Sequence, residues 1–303
     1  MSAAANRRGI LAMLASMTLF SVSDTLVKLA TESLPSGQIM AIRGVFAIVF
    51  LLALVAIRGE GGSLREAWSP LVLLRGLIEA GVAFLFITSL ANLPLANTNA
   101  ILQATPIILT LLSVALGIEE VGWRRWSAVI VGFVGVLFIV KPSLEGMNIY
   151  ALLALGSAAL VAARDLVTRR IQGHVPTSII TLATTAAVTM AGLALAAGDA
   201  WAAPTGVHLL ILAGAAFFVT LGSLAVVTAF RVGEMAVVSP FRYSVILSSI
   251  ILGYLVFGDW PDAYSFLGIA LIVGSGLYTL HREQVRRRDA VTGAAIVGTG
   301  EAS

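Results

Sequence analysis

Ser23–Gly37 reads SDTLVKLATESLPSG, and Arg164–Ser178, 141 positions further on, reads RDLVTRRIQGHVPTS. At that offset Asp24 meets Asp165, Lys28 meets Arg169 and Pro35 meets Pro176. Each stretch ends a long apolar run with Asp-x-x-x-basic and sets a proline before the next run. With the offset shortened to 139, Leu95-Ala96 meets Glu234-Met235, Gln103 meets Arg242 and Glu120 meets Asp259. The chain therefore reads as two copies of one unit. Matched charges and prolines argue against a chance likeness between two Ala/Leu-rich stretches.

The runs around these landmarks are too apolar for a soluble protein. Of 303 residues, 58% are hydrophobic and 12% charged, about half the charged fraction of soluble domains. Mean hydropathy is +0.97. A helix needs roughly 20 residues to cross the hydrocarbon. Ten stretches of that order are expected near 9–30, 37–57, 69–90, 96–117, 124–141, 148–168, 176–197, 207–229, 235–257 and 262–280. None alternates with period two, which excludes the strand pattern of a membrane β-barrel. Arg7 and Arg8 before the first run resemble the start of a signal peptide, but no small-x-small cleavage site precedes Asp24 and Lys28, so a retained helix is expected.

Charge placement supports the count. Ten spans with a cytoplasmic N-terminus put thirteen arginines on the inner side, in the N-terminal segment, alternate loops and the C-terminal segment. Lys28 and Lys141 fall on the outer side, and Arg43, Arg75, Arg164 and Arg242 fall within spans. Thirteen against two is a positive-inside pattern with both termini in the cytoplasm. Miscounting one middle helix would scramble it.

Five is odd, so the second copy enters the membrane in reverse. The fold expected is an all-α polytopic membrane protein of ten helices in two inverted five-helix repeats. The first repeat is 9–142 and the second 148–280, followed by a cytoplasmic, disordered tail at 281–303. Inverted repeats are an architecture of secondary transporters, because two pseudo-equivalent halves can exchange roles about a central site.

Several sequence pieces fit one family. They are Ser23-Asp24-x3-Lys28, Arg43-Gly44, Leu93-Pro94-Leu95-Ala96, Pro106, Gly117-Ile118-Glu119-Glu120, Phe257-Gly258-Asp259 and the Gly268/Gly274 spacing. In this order the chain resembles the drug/metabolite transporter superfamily, in its ten-helix exporter-type members with two EamA domains. The ending of helix one looks most like the riboflavin or S-adenosylmethionine uptake members. The resemblance implies a basket of helices around a central cavity in the inner membrane and a small-molecule substrate. Metabolite, amino-acid or drug export is the alternative it implies.

Intramembrane charge costs roughly 2.5–3.5 kcal/mol per residue at mid-membrane, so such residues should meet a partner or a cavity. Arg75 and Glu79 are four apart and can pair on one face. Arg43 lies about 10 Å along its helix from the outer end, at a depth where it can pair with Asp24. Arg242 beside Tyr243, with its repeat mate Gln103, is the foremost substrate candidate, since a guanidinium next to a ring can grip a carboxylate or stack on a flat ligand. Pro106 and Pro240 interrupt helices four and nine and are hinge candidates.

Enzyme motifs are missing: no Walker A loop, dinucleotide fingerprint, His-Glu-x-x-His or nucleophile elbow. Three scattered histidines and no cysteine imply neither a metal nor a cofactor. The tail's Arg286–Arg288 run is expected to anchor topology against membrane lipid, with no nucleic-acid partner. Energy would come from a gradient, with Glu79 and Asp24 as candidates for proton coupling. Uncoupled movement fits equally, as do a monomer and a homodimer.

Overall fold

A computed structural model describes residues 3–117, 122–141, 148–171, 175–198 and 201–300, and for 3, 124–125, 235–236 and 282–300 the backbone alone. Ten helical segments run back and forth among these residues. They are α1 Ala3–Thr31, α2 Ser36–Arg58, α3 Pro70–Asn92, α4 Leu95–Ala115, α5 Trp123–Val140, α6 Ile149–Thr168, α7 Thr177–Ala196, α8 Gly206–Val232, α9 235–257 and α10 Ala263–Gly300. Apart from the longer N-terminal end of α1 and C-terminal end of α10, all lie within a few residues of the expected spans. Nine are long and apolar enough to cross a membrane, and α5 contributes the shorter apolar stretch Trp126–Val140. Pro35, Pro94 and Pro176 stand immediately before α2, α4 and α7, where extended backbone separates one helix from the next.

Helices α4 and α9 are discontinuous. Helix α4 breaks at Gln103-Ala104 and restarts at Thr105, with Pro106 in its first turn. Helix α9 passes from an α-turn, Met235–Val238, through a 3-10 stretch, Ser239–Tyr243, into Ser244–Leu252, and ends in a π turn, Gly253–Phe257. The two prolines thus open new helical pieces, where the missing N–H costs nothing, and do not bend a continuous helix. Helix α10 runs past the expected end of its span, its backbone helical to Gly300, and the Arg, Glu, Gln and Ala residues of 282–290 favour helix.

Packing repeats the sequence symmetry. Helix α1 packs on α8 as α6 packs on α3, and α1 touches α9 as α6 touches α4. The α3–α7 contact mirrors α8–α2. Pairs α2–α7, α4–α9 and α5–α10 each map onto themselves. Exchanging every helix with the one five places later leaves this set of contacts unchanged, as two inverted copies require.

The outer surface is apolar. Leu77, Leu210, Leu247 and Leu255 are more than half exposed, which water would not tolerate over so wide an area. All five tryptophans sit at or just before helix starts, and Trp68 and Trp123 are about three-quarters exposed (77% and 74%). Tryptophan collects at both edges of a bilayer. At one edge the Lys141 ammonium donates to the Asp262 carboxylate, tying the end of α5 to the start of α10. That bond and the Ser265 N–H hold the Asp262 carboxyl down at about 2.

Candidate functional site

A cavity of about 600 Å³ lies between the halves, walled by α2 and α3 on one side and α6, α7 and α8 on the other. Helical spacing makes the walls. Met40, Arg43, Ala47, Leu51, Leu54 and Arg58 form one stripe of α2, and Arg75, Glu79, Ala83 and Ile87 recur every fourth residue of α3. Helices α7 and α8 add hydroxyls, among them Thr181, Thr184, Thr185, Thr220 and Ser223. Phe20 is the single aromatic ring among the described lining residues.

The described residues at the two ends of the cavity differ in exposure. Arg58 and Arg231, both exposed, flank its mouth with Glu60 and Pro176, on the face where α1 begins. Glu60 lies in a 3-10 stretch, Glu60–Trp68, and accepts a hydrogen bond from the Ser178 hydroxyl. It is a mouth residue and not a plain loop charge. At the opposite end Met40 and Ile87 are buried. There the Lys28 ammonium donates to the carbonyls of Leu90 (3.0 Å) and Leu93 (2.6 Å) and lies 5.3 Å from the centre of the Phe257 ring. Gln38 exchanges two hydrogen bonds with the Ala202 backbone, at 2.6 and 3.1 Å. The repeat mate of Lys28, Arg169, is exposed on the open face. The two ends thus differ, one crossed by these side-chain bonds and the other lined by exposed charges.

Glu79 is the hub of the cavity's charges. Its carboxylate takes hydrogen bonds from Arg164 Nη1 at 3.0 and 3.3 Å, and Arg164 Nη2 donates to Asp165 at 2.8 Å. The expected partner, Arg75, instead gives its Nε to Thr168 at 3.0 Å, and its buried Nη1 has no partner among the described residues. A neighbouring helix supplies a guanidinium at better geometry than the i, i+4 position on α3 does. Arg164 was placed inside a span by the sequence but given no role there.

Arg43 lines the cavity, and its hydrogen bond, at 3.4 Å, goes to Ser23 and not to Asp24. Asp24 stands behind the wall. It accepts from Asn99 at 3.2 Å, and Asn99 also donates to Ser249, which bonds Ser21. This polar chain joins α1, α4 and α9. Asn97 points elsewhere, to Ser265 of α10.

Gln103 and Arg242 do meet, through a 3.4 Å bond from the Gln103 amide to the Arg242 carbonyl. Neither side chain lines the cavity, and Arg242 is exposed. The 3-10 turn around Arg242 shifts the phase of α9, so the depth read from sequence did not give direction. Tyr243 is buried in the core, its hydroxyl against Gly276, where a Cβ would lie only 1.7 Å away.

These features can be set beside known proteins. The EamA-like transporter family matches twice, over residues 7–141 and 148–280. A riboflavin transporter of Vibrio cholerae is 29% identical over 93% of this chain and 95% of its own length. An S-adenosylmethionine uptake transporter of Rickettsia bellii is 27% identical over 91% and 94%. A pseudopaline exporter of Pseudomonas aeruginosa is 29% identical over 87% and 92%. With both halves matched and a solute-sized cavity between them, the chain belongs to the EamA-like transporter family, as a multi-pass membrane transporter of small metabolites.

Proposed function

We propose that the chain is an alternating-access secondary transporter of the bacterial inner membrane, with both termini in the cytoplasm and riboflavin or a similar metabolite as its solute. A cavity crossed by side-chain bonds at one end and lined by exposed charges at the other carries the reading. By the arginine distribution, its mouth faces the cytoplasm. Hydroxyls on α7 and α8 suit a solute with many polar edges. The likeness to a riboflavin transporter supports the choice of solute. Export of another metabolite is the second reading, favoured by the exporter among the relatives and by the scarcity of aromatic rings in the cavity. Of the two candidates for proton coupling, Glu79 lines the cavity and Asp24 does not.

Proteoliposomes of purified protein should show saturable riboflavin uptake. Labelled S-adenosylmethionine and several amino acids serve as competitors, each with and without a proton gradient. Saturable movement of another solute with none of riboflavin would remove the vitamin and leave the transporter. Orientation is tested separately. Reporter fusions after Ser33 should read the outer side, and fusions after Gly62 the inner side. Reversal at either position would break the assigned topology.

A further inference from the structure

We infer that the cavity also admits solutes with an anionic group that riboflavin itself lacks, a carboxylate or phosphate, taken by the unspent donors of Arg43 and Arg75 beside Glu79. The inference rests on reading the cavity as the solute path. Five arginines line it against two glutamates. Arg164 is already committed to Glu79 and Asp165, and Glu60 to Ser178. Arg75 keeps a buried Nη1 with no partner among the described residues. Arg43 spends only one long bond, on Ser23. Glu79 acts on both guanidiniums, after Asp24 in the case of Arg43, and Arg43, Arg75 and Glu79 all line the same cavity. Asp24 and Asp165 offset part of this charge from outside the lining, but the groups that face the space are the guanidiniums and Glu79. A guanidinium holds donors in a plane that matches the two oxygens of a carboxylate or phosphate. Desolvated in a cleft, such a pair concentrates anions and repels cations.

The chain has no cysteine, so one introduced thiol reads the cavity's field without knowledge of the solute. Thr185→Cys places it on the wall, and Ser33→Cys places a reference in an exposed turn. Each purified protein, in an uncharged detergent at low salt, is labelled with anionic sulfonatoethyl and cationic trimethylammonioethyl methanethiosulfonate. The anionic-to-cationic rate ratio at Thr185→Cys, divided by that at Ser33→Cys, should be on the order of tenfold. Adding Arg43→Gln and Arg75→Gln should bring it close to one, while Arg75→Lys, which keeps the charge, should hold it up. Only monodisperse protein is compared, and the charge-keeping variant guards against a fold defect. A starting ratio of one or below would overturn the inference, as would a high ratio unmoved by the two neutral variants. Either result leaves the riboflavin uptake measurement standing, and failed riboflavin uptake leaves the labelling ratio standing.

Discussion

Gly192→Val is expected to abolish uptake while Gly62→Val leaves it intact. Helices α2 and α7 cross tightly at the end away from Arg58 and Arg231. A Cβ on Gly192 would lie 2.6 Å from the Ala41 nitrogen, 2.7 Å from Met40 Cβ and 2.8 Å from the Gly37 carbonyl. Two of these neighbours are backbone and cannot swing aside. A Cβ on Gly62 would meet nothing within 4 Å. Overpacking a tight contact costs about 1–3 kcal/mol, and in the proposed alternating cycle the strain would fall on only one of the two states. The state with its opposite end closed is penalised, and the state with that end parted is relieved. Uptake should fall by more than about tenfold, as RT arithmetic gives for over 1.4 kcal/mol. A thiol at Met40, buried near the closed end, should label faster in Gly192→Val than with Gly192 intact. Unchanged uptake and unchanged labelling would refute the crossing as a gate. Faster labelling separates a wedged gate from a chain that has failed to fold.

Much of this architecture could be read from the chain because membrane folding leaves a coarse signal. Twenty-residue apolar runs, prolines between them and arginines on alternate loops gave the ten spans. The 141-residue echo of Asp24, Lys28 and Pro35 gave the inverted halves. The site was less legible. Spacing alone pairs Arg75 with Glu79, because i, i+4 neighbours are the only contacts a single helix reveals. The real partner, Arg164, comes from α6 and is visible only once α3 and α6 pack. One clue lay in the repeat, since Arg164 stands opposite Ser23 and so breaks the likeness of the halves with a charge inside a span. Arg242 was overrated for a related reason. Periodicity assumes 3.6 residues per turn, and the 3-10 stretch Ser239–Tyr243 does not keep it. The four-residue spacing of Arg75, Glu79, Ala83 and Ile87 was in the sequence throughout. Which of the faces of α3 turns to a cavity and which to lipid depends on neighbours that no single helix specifies.

Arg164→Gln should be the most damaging neutral substitution among the cavity charges. The guanidinium holds Glu79 from one nitrogen and Asp165 from another, so its loss strands two carboxylates together. Glu79→Gln strands less, because Arg164 keeps Asp165. Breaking a fully buried pair costs about 3–5 kcal/mol. With side chains 21% and 27% exposed for Arg164 and Glu79, solvent reaches both, and about 2 kcal/mol is the better expectation. The unfolding midpoint in detergent and the rate of uptake should therefore fall in the order Arg164→Gln, then Glu79→Gln, then Glu60→Gln. Glu60 loses one bond, to Ser178, at an open mouth. The double variant Glu79→Gln/Arg164→Gln should be more stable than the sum of its singles by about 1 kcal/mol, because the charge left unpaired by one change is removed by the other. Arg164→Lys should recover only part of the loss, since a point charge cannot reach both carboxylates through a planar fork. Additive singles, or an Arg164→Gln protein no less stable than Glu60→Gln, would mean that Arg164 is a solvated charge on the cavity wall. In that case the pairing of α3 with α6 would rest on their apolar contact alone.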